Sequence, residues 1–201
     1  MKPIKLMKRL SLYLFLILFT FQTPSQADDI RDFEIEGMSV GDSLLDYFSE
    51  EEINSGRRLN YEESDFYKIE IRNNKFEIYE IVGFYFKAYD QRYEIFGISG
   101  STLITKSFKK CLADKEKIEK EISLIFEKSR RFDHGTLSPG WDKKTKFNQV
   151  EFYLENYDSV VITCYDWSKK VEQKEGWEDN ISVELYSKEL SDFIRKNTAA
   201  N

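Results

Sequence analysis

From residue 66 to residue 98 the chain reads FYKIEIRNNKFEIYEIVGFYFKAYDQRYEIFGI. Apolar and aromatic residues alternate with charged ones at the period of two that marks consecutive antiparallel strands. Tyr67, Ile69 and Ile71 share one side of a first strand, while Lys68, Glu70 and Arg72 share the other. Asn73 and Asn74 supply the turn, because Asn tolerates the left-handed backbone of a tight hairpin. From Phe76 a second strand sets Phe76, Ile78, Val82, Phe84 and Phe86 against Tyr79, Ile81, Tyr85 and Tyr89. A strand heavy on both sides belongs in the middle of a sheet covered on both faces. Asp90 and Gln91 turn the chain again, Tyr93, Ile95 and Phe96 lead into a third strand, and Gly97 and Gly100 mark where it ends or bends.

The same reading extends outward. Ser39 with Asp42 three residues on, then Val40, Leu44 and Tyr47 or Phe48 at helical spacing, predict a short amphipathic helix. Ser49 followed by Glu50, Glu51 and Glu52 caps a second, which Gly56 stops. Residues 101–105 add a short strand. Residues 109–130 form the longest helix, with Cys111, Ile118, Ile122, Ile125 and Ser129 inward and Lys115, Glu116, Glu119 and Lys120 outward. Residues 131–146, RFDHGTLSPGWDKKTK, hold Gly135, Pro139 and Gly140 and read as the one long loop, the natural carrier of function. Further strands follow around Val150, Phe152 and Leu154, around Val160, Ile162 and Cys164, and around Ile181, Val183 and Leu185. Residues 169–179 are a charged connection, and Ser187 caps a terminal helix with Leu190, Phe193 and Ile194. The expected class is α+β, a mostly antiparallel sheet with helices on one face, in the order α-βββ(β)-α-βββ-α.

The first 27 residues change the picture of compartment. Lys2, Lys5, Lys8 and Arg9 form a basic start, residues 10–21 are hydrophobic apart from Ser11 and Thr20, and Ser25-Gln26-Ala27 offers a small-residue cleavage site. This is the pattern of a secretory signal peptide. At ~1.5 Å per residue the apolar run is about 18 Å long, too short for the roughly 30 Å hydrocarbon core, so no stable membrane anchor is expected. Residues 28–201 then form a single domain, periplasmic or secreted. They keep 26 of the 30 basic residues and all 36 acidic ones, a formal charge of −10. Such a surface repels phosphate backbones, which argues against nucleic acid as a partner. Cys111 and Cys164, in an oxidising compartment, are expected to form a disulfide; the alternative is two buried free thiols.

The block FEIEGMSVGDSLLDYFSEEEI, with CYDWS and WEDNISVELYSKE further on, resembles a family of small uncharacterised secreted bacterial proteins over essentially all of residues 28–201. No activity comes with that resemblance. The Gly37-Met38-Ser39 helix start is also similar to that of outer-membrane assembly small lipoprotein and β-lactamase-inhibitor-like modules, which join two helices to antiparallel strands.

Chemistry-bearing residues are sparse. His134, flanked by Asp133 and near Ser138, writes a Ser/His/Asp set without a nucleophile elbow. Asp42 and Asp46 with Glu36 write a carboxylate set, against the simpler reading of capping and a solvated face. One histidine and two cysteines give no metal-ligand pattern, and no cofactor motif is present. The aromatics are the better signal, because Trp141, Trp167 and Trp177 all fall in or beside loops. The candidate binding residues are therefore His134, Trp141 and Trp177. The function expected is a non-enzymatic binding or interaction protein of the periplasm, with an envelope protein or a small polar ligand as partner. The alternative is a small secreted hydrolase acting on envelope polymer or peptide through a carboxylate site.

Overall fold

The computed structural model describes residues 29–60, 65–104 and 107–198; the expected signal peptide lies outside the described residues. Eight strands, β1 (Arg57–Asn60), β2 (Phe66–Ile71), β3 (Ile81–Lys87), β4 (Gly97–Leu103), β5 (Arg130–Leu137), β6 (Lys146–Tyr153), β7 (Ser159–Asp166) and β8 (Asn180–Tyr186), make one antiparallel sheet. Its order is β1-β2-β3-β4-β8-β7-β6-β5. The helices are α1 (Glu50–Ser55), α2 (Phe108–Ile125), α3 (Lys169–Glu175) and α4 (Lys188–Thr198). Each half is thus a helix followed by a four-stranded meander, and the halves join through their last strands, β4 and β8.

Period-two alternation assigns the two faces. Ile69, Val82, Phe84, Ile98, Val160, Ile162 and Leu185 enter the main core, with Ile53 from α1 and Cys111 and Ile122 from α2. The opposite face carries Phe66, Tyr85, Val161 and Tyr186, and Leu190 of α4 packs on these. The α+β class with an antiparallel sheet therefore holds, while α4 departs from the expected single helical face. It does so because β3 and β7 are apolar on both sides, and Phe66 of β2 adds to the second face, so a second cover is needed. Gly97 makes room for it: a Cβ there would lie 2.4 Å from Leu190 Cδ2. β4 begins at Gly97, so the expected strand residues Tyr93, Ile95 and Phe96 lie before it, with only an isolated bridge from Glu94 to Ser43; Gly100 lies inside β4, where a Cβ would meet the Tyr79 ring at 2.6 Å.

Other differences have local causes. The edge strands β1 and β5 are Arg-rich, so the hydrophobic period misses them; residues 131–137 of the expected loop are strand, and Arg130, the expected end of the long helix, begins it. Charged edges of this kind discourage pairing with another chain. Because β5 exists, Lys115 on α2 is 5% exposed rather than solvated. Its Nζ lies 3.3 Å from Glu119, which in turn holds Arg131 of β5. Residues 76–80 are not strand; the Glu36 carboxylate accepts the backbone N–H groups of Glu77, Ile78 and Tyr79 at 2.8, 2.7 and 2.8 Å and bends the segment around itself. The amphipathic stretch after Ser39 shrinks to a 3-10 turn, Leu44–Asp46. The charged connection after Ser168 is α3, with Val171 buried beneath it and Gly176 ending it in a left-handed conformation at φ 68°. Cys111 and Cys164 form a disulfide, Cα atoms 5.9 Å apart, that ties α2 to β7.

Candidate functional site

Alternation along β7 places Tyr165, and Trp167 just beyond its end, on the same side of the chain. Their rings lie parallel, 5.0 Å apart with 4° between planes. Ser168 then caps α3, accepting from Val171 N, and the left-handed Gly176 reverses the chain. The reversal returns Trp177 onto Trp167 with centroids 4.5 Å apart. Trp167 N–H donates to Asp179 Oδ1 at 2.8 Å, so both ends of the α3 excursion are held at one point. Phe147 of β6 adjoins Tyr165 at 6.3 Å, and Trp141 meets Trp177 edge-on at 6.4 Å and 72°. Five rings thus run in contact from Phe147 to Trp141.

The loop that carries Trp141 is built around Asp142. Its N–H donates to the Pro139 carbonyl at 3.1 Å, closing a turn with Gly140 and Trp141 at the corners. Its carboxylate accepts from Ser168 Oγ at 2.5 Å, Thr145 Oγ1 at 2.9 Å and Lys144 N at 3.1 Å. Thr145 is fully buried and its Oγ1 accepts in turn from Ser168 N. The Ser168 hydrogen bond, first of these, holds the Asp142 carboxyl below the usual carboxylate range. The loop is thereby fastened to the cap of α3. Trp141 itself stays 64% exposed, whereas Trp167 and Trp177 are half-buried.

Arg57 at the start of β1 donates to the Glu175 carbonyl at 2.6 Å and lies 5.9 Å from the Trp177 ring. An open cleft of about 570 Å³ on the flank of Trp177 is lined by Leu103, Ile104, Lys169, Glu172 and Asp179. Burial pushes the Asp179 carboxyl up, with Asp166 and Glu172 adding to it, but that carboxylate is committed to Trp167 N–H.

The other sequence candidates lie elsewhere. His134 sits on β5 at the irregularity between Asp133 and Gly135, with Nε2 3.6 Å from Glu151. It is three residues, roughly 10 Å of strand, ahead of the Trp141 loop. Asp133 serves Gly135 N and Arg131, so no Ser/His/Asp relay is assembled. Asp42 accepts from Ser39 N and the Tyr47 hydroxyl, Glu36 is enclosed by backbone amides, and Glu52 completes a capping box with Ser49. None of these carboxylates pairs with another. Glu184, 5% exposed in mid-sheet, is pushed up by burial, with Lys68, Ser182 and Tyr85 opposing. Lys68 crosses Gly83 to reach this cluster; a Cβ on Gly83 would meet its Cε at 2.3 Å. Among the described residues no group of three or more His, Cys, Asp and Glu is placed to hold a metal ion, and no helix is long and apolar enough to cross a membrane.

Sequence reasoning found Trp141 and Trp177 but not Tyr165, Asp142, Ser168 or Arg57 as their supports. The spacing Tyr165-x-Trp167 on a strand was the available signal. No protein-family model, curated protein or solved structure matches the chain.

Proposed function

We propose that the protein is an exported, non-enzymatic binding protein of the periplasm whose working surface is the ring cluster ending at Trp141. The observation that carries the reading is Trp141 itself: an indole 64% exposed on a loop fastened by a buried hydrogen-bond network. Holding a large apolar ring in water is unfavourable, and a rigid one loses little conformational entropy when a partner covers it. Trp is accordingly the residue type most often found to dominate association, at about 2 kcal/mol or more. The hydrolase alternative has less support, since the carboxylates near the cleft are engaged by backbone amides or ion-paired to Lys169 and Arg72.

Trp141→Ala tests the reading. Immobilised wild-type protein is expected to capture a component of an envelope extract that the variant does not, while the two proteins melt together. Loss of fold in the variant, or undiminished capture, refutes it.

A further inference from the structure

We infer that the partner presented to Trp141 is an acidic segment of another protein, its carboxylates meeting Lys143, Lys144 and Lys170 while an apolar side chain covers the indole. This deepens the binding reading above and rests on it.

The charge pattern argues it. Along the helices Lys110, Lys115, Lys117, Lys120, Lys169, Lys174 and Lys188 are each ion-paired to a neighbouring acid. Lys143, Lys144 and Lys170 are exposed and enter none of the described ion pairs, as is also true of Lys109, Lys146 and Lys196; what sets the first three apart is their place beside the Trp141 loop. Lys143 and Lys144 directly follow the turn that presents Trp141, and Lys170 is close enough to act electrostatically on Asp142. Asp142, the one acid of that loop, turns its carboxylate inward onto Ser168 and Thr145, so the exposed charges of the loop itself are Lys143 and Lys144, while Glu172, Glu178 and Asp179 line the cleft beside Trp177. A cationic rim on residues 28–201, whose formal charge is −10, is complementary to an anionic contact of small extent. An anionic bilayer would confront the whole acidic surface and be repelled by it. A short peptide segment meets only the rim. Lysines suit it, as point charges that follow carboxylates without demanding a fixed fork. Trp141 meets Trp177 at 72° and stays 64% exposed, so much of its ring is left for the apolar contact.

The test uses a fluorescein-labelled peptide alternating glutamate and leucine, its lysine/leucine counterpart, and phosphatidylglycerol vesicles, each against the mature protein. The acidic peptide is expected to bind, with affinity falling as salt is raised. Lys143→Glu with Lys144→Glu and Lys170→Glu should weaken it at least tenfold, as should Trp141→Ala, with the circular dichroism of both variants unchanged. Equal or tighter binding of the lysine peptide, or indifference to charge reversal, overturns the inference; if Trp141→Ala still weakens binding in that case, the indole surface survives and only the partner chemistry falls. Sedimentation with vesicles without peptide binding overturns it in favour of lipid.

Discussion

Breaking the Cys111–Cys164 bond is expected to cost a large share of this fold's stability. The bond closes a loop spanning a sequence separation of 53 residues. In the chain-entropy model a loop of that length restrains the unfolded state by about 4 kcal/mol at 25 °C, set against about 5–15 kcal/mol for a whole domain. Both sulfurs are buried, Cys111 1% and Cys164 fully, so Cys111→Ala with Cys164→Ala also deletes packing worth about 1 kcal/mol for each atom removed. The double variant should therefore lose about 6 kcal/mol and melt roughly 12–24 °C lower. Reduction in denaturant followed by refolding with blocked reoxidation isolates the first part. Urea midpoints of the oxidised, reduced and double-alanine proteins check both. A reduced protein within about 1 kcal/mol of the oxidised one would refute the argument, because the bond would then constrain nothing the unfolded chain is free to explore. Non-reducing peptide maps that show two separate thiols would refute it earlier.

Two further outcomes follow from buried charge and from the N-terminus. The folded Glu184 carboxyl is raised above its ordinary 4.5 by burial, so the native state holds a proton that the unfolded chain has released. Its contribution to stability is then present at acid pH and lost as pH rises from the unfolded value through the raised one. Glu184→Gln should flatten that decline and be at least as stable as wild type at pH 8; urea midpoints at pH 5 and pH 8 read it, and an unaltered slope rules the account out. Export should remove residues 1–27, so N-terminal sequencing of periplasmic protein should begin at Asp28, and a membrane-bound product that retains Met1 contradicts the reading.

The central strands were legible because they bury one or both faces and must repeat with period two: Tyr67, Ile69, Ile71, then Val82, Phe84, Phe86, then Val160, Ile162, Cys164. The edge strands were not, since β1 and β5 owe their extension to pairing with β2 and β6 rather than to their own composition. Helix α3 was hidden for a related reason. KKVEQKE buries one residue, Val171, and its signals are the Ser168 cap and Gly176 at either end rather than an apolar face. The stretch 76–80 misled because Phe76 and Ile78 alternate with Glu77 as a strand would, while its shape is set by Glu36, some forty positions away. Long-range capture of backbone amides by one carboxylate leaves no periodic trace.

The placement of the indoles follows from where the two halves of the sheet cease to match. In an antiparallel sheet the β5–β6 and β7–β8 connections fall at one end, and the β4–β8 pairing of Leu103 with Asn180 puts the start of β1 at that same end. Of the first half's strand-to-strand connections only β2–β3 falls at this end, where Arg72 pairs with Glu178. The second half places two there: the β5–β6 connection carries Trp141, the β7–β8 connection inserts α3 and carries Trp177, and Arg57 reaches across from β1 to the Glu175 carbonyl. A sheet of eight paired strands is the stiff part of such a molecule, and loops held to its end by Asp142 and Asp179 inherit that stiffness. An indole exposed on a stiff support is poor at burying itself and well placed to be buried by something else. Three aromatic residues scattered over 37 positions of sequence therefore become one surface only through strand order, which no local pattern in the chain encodes.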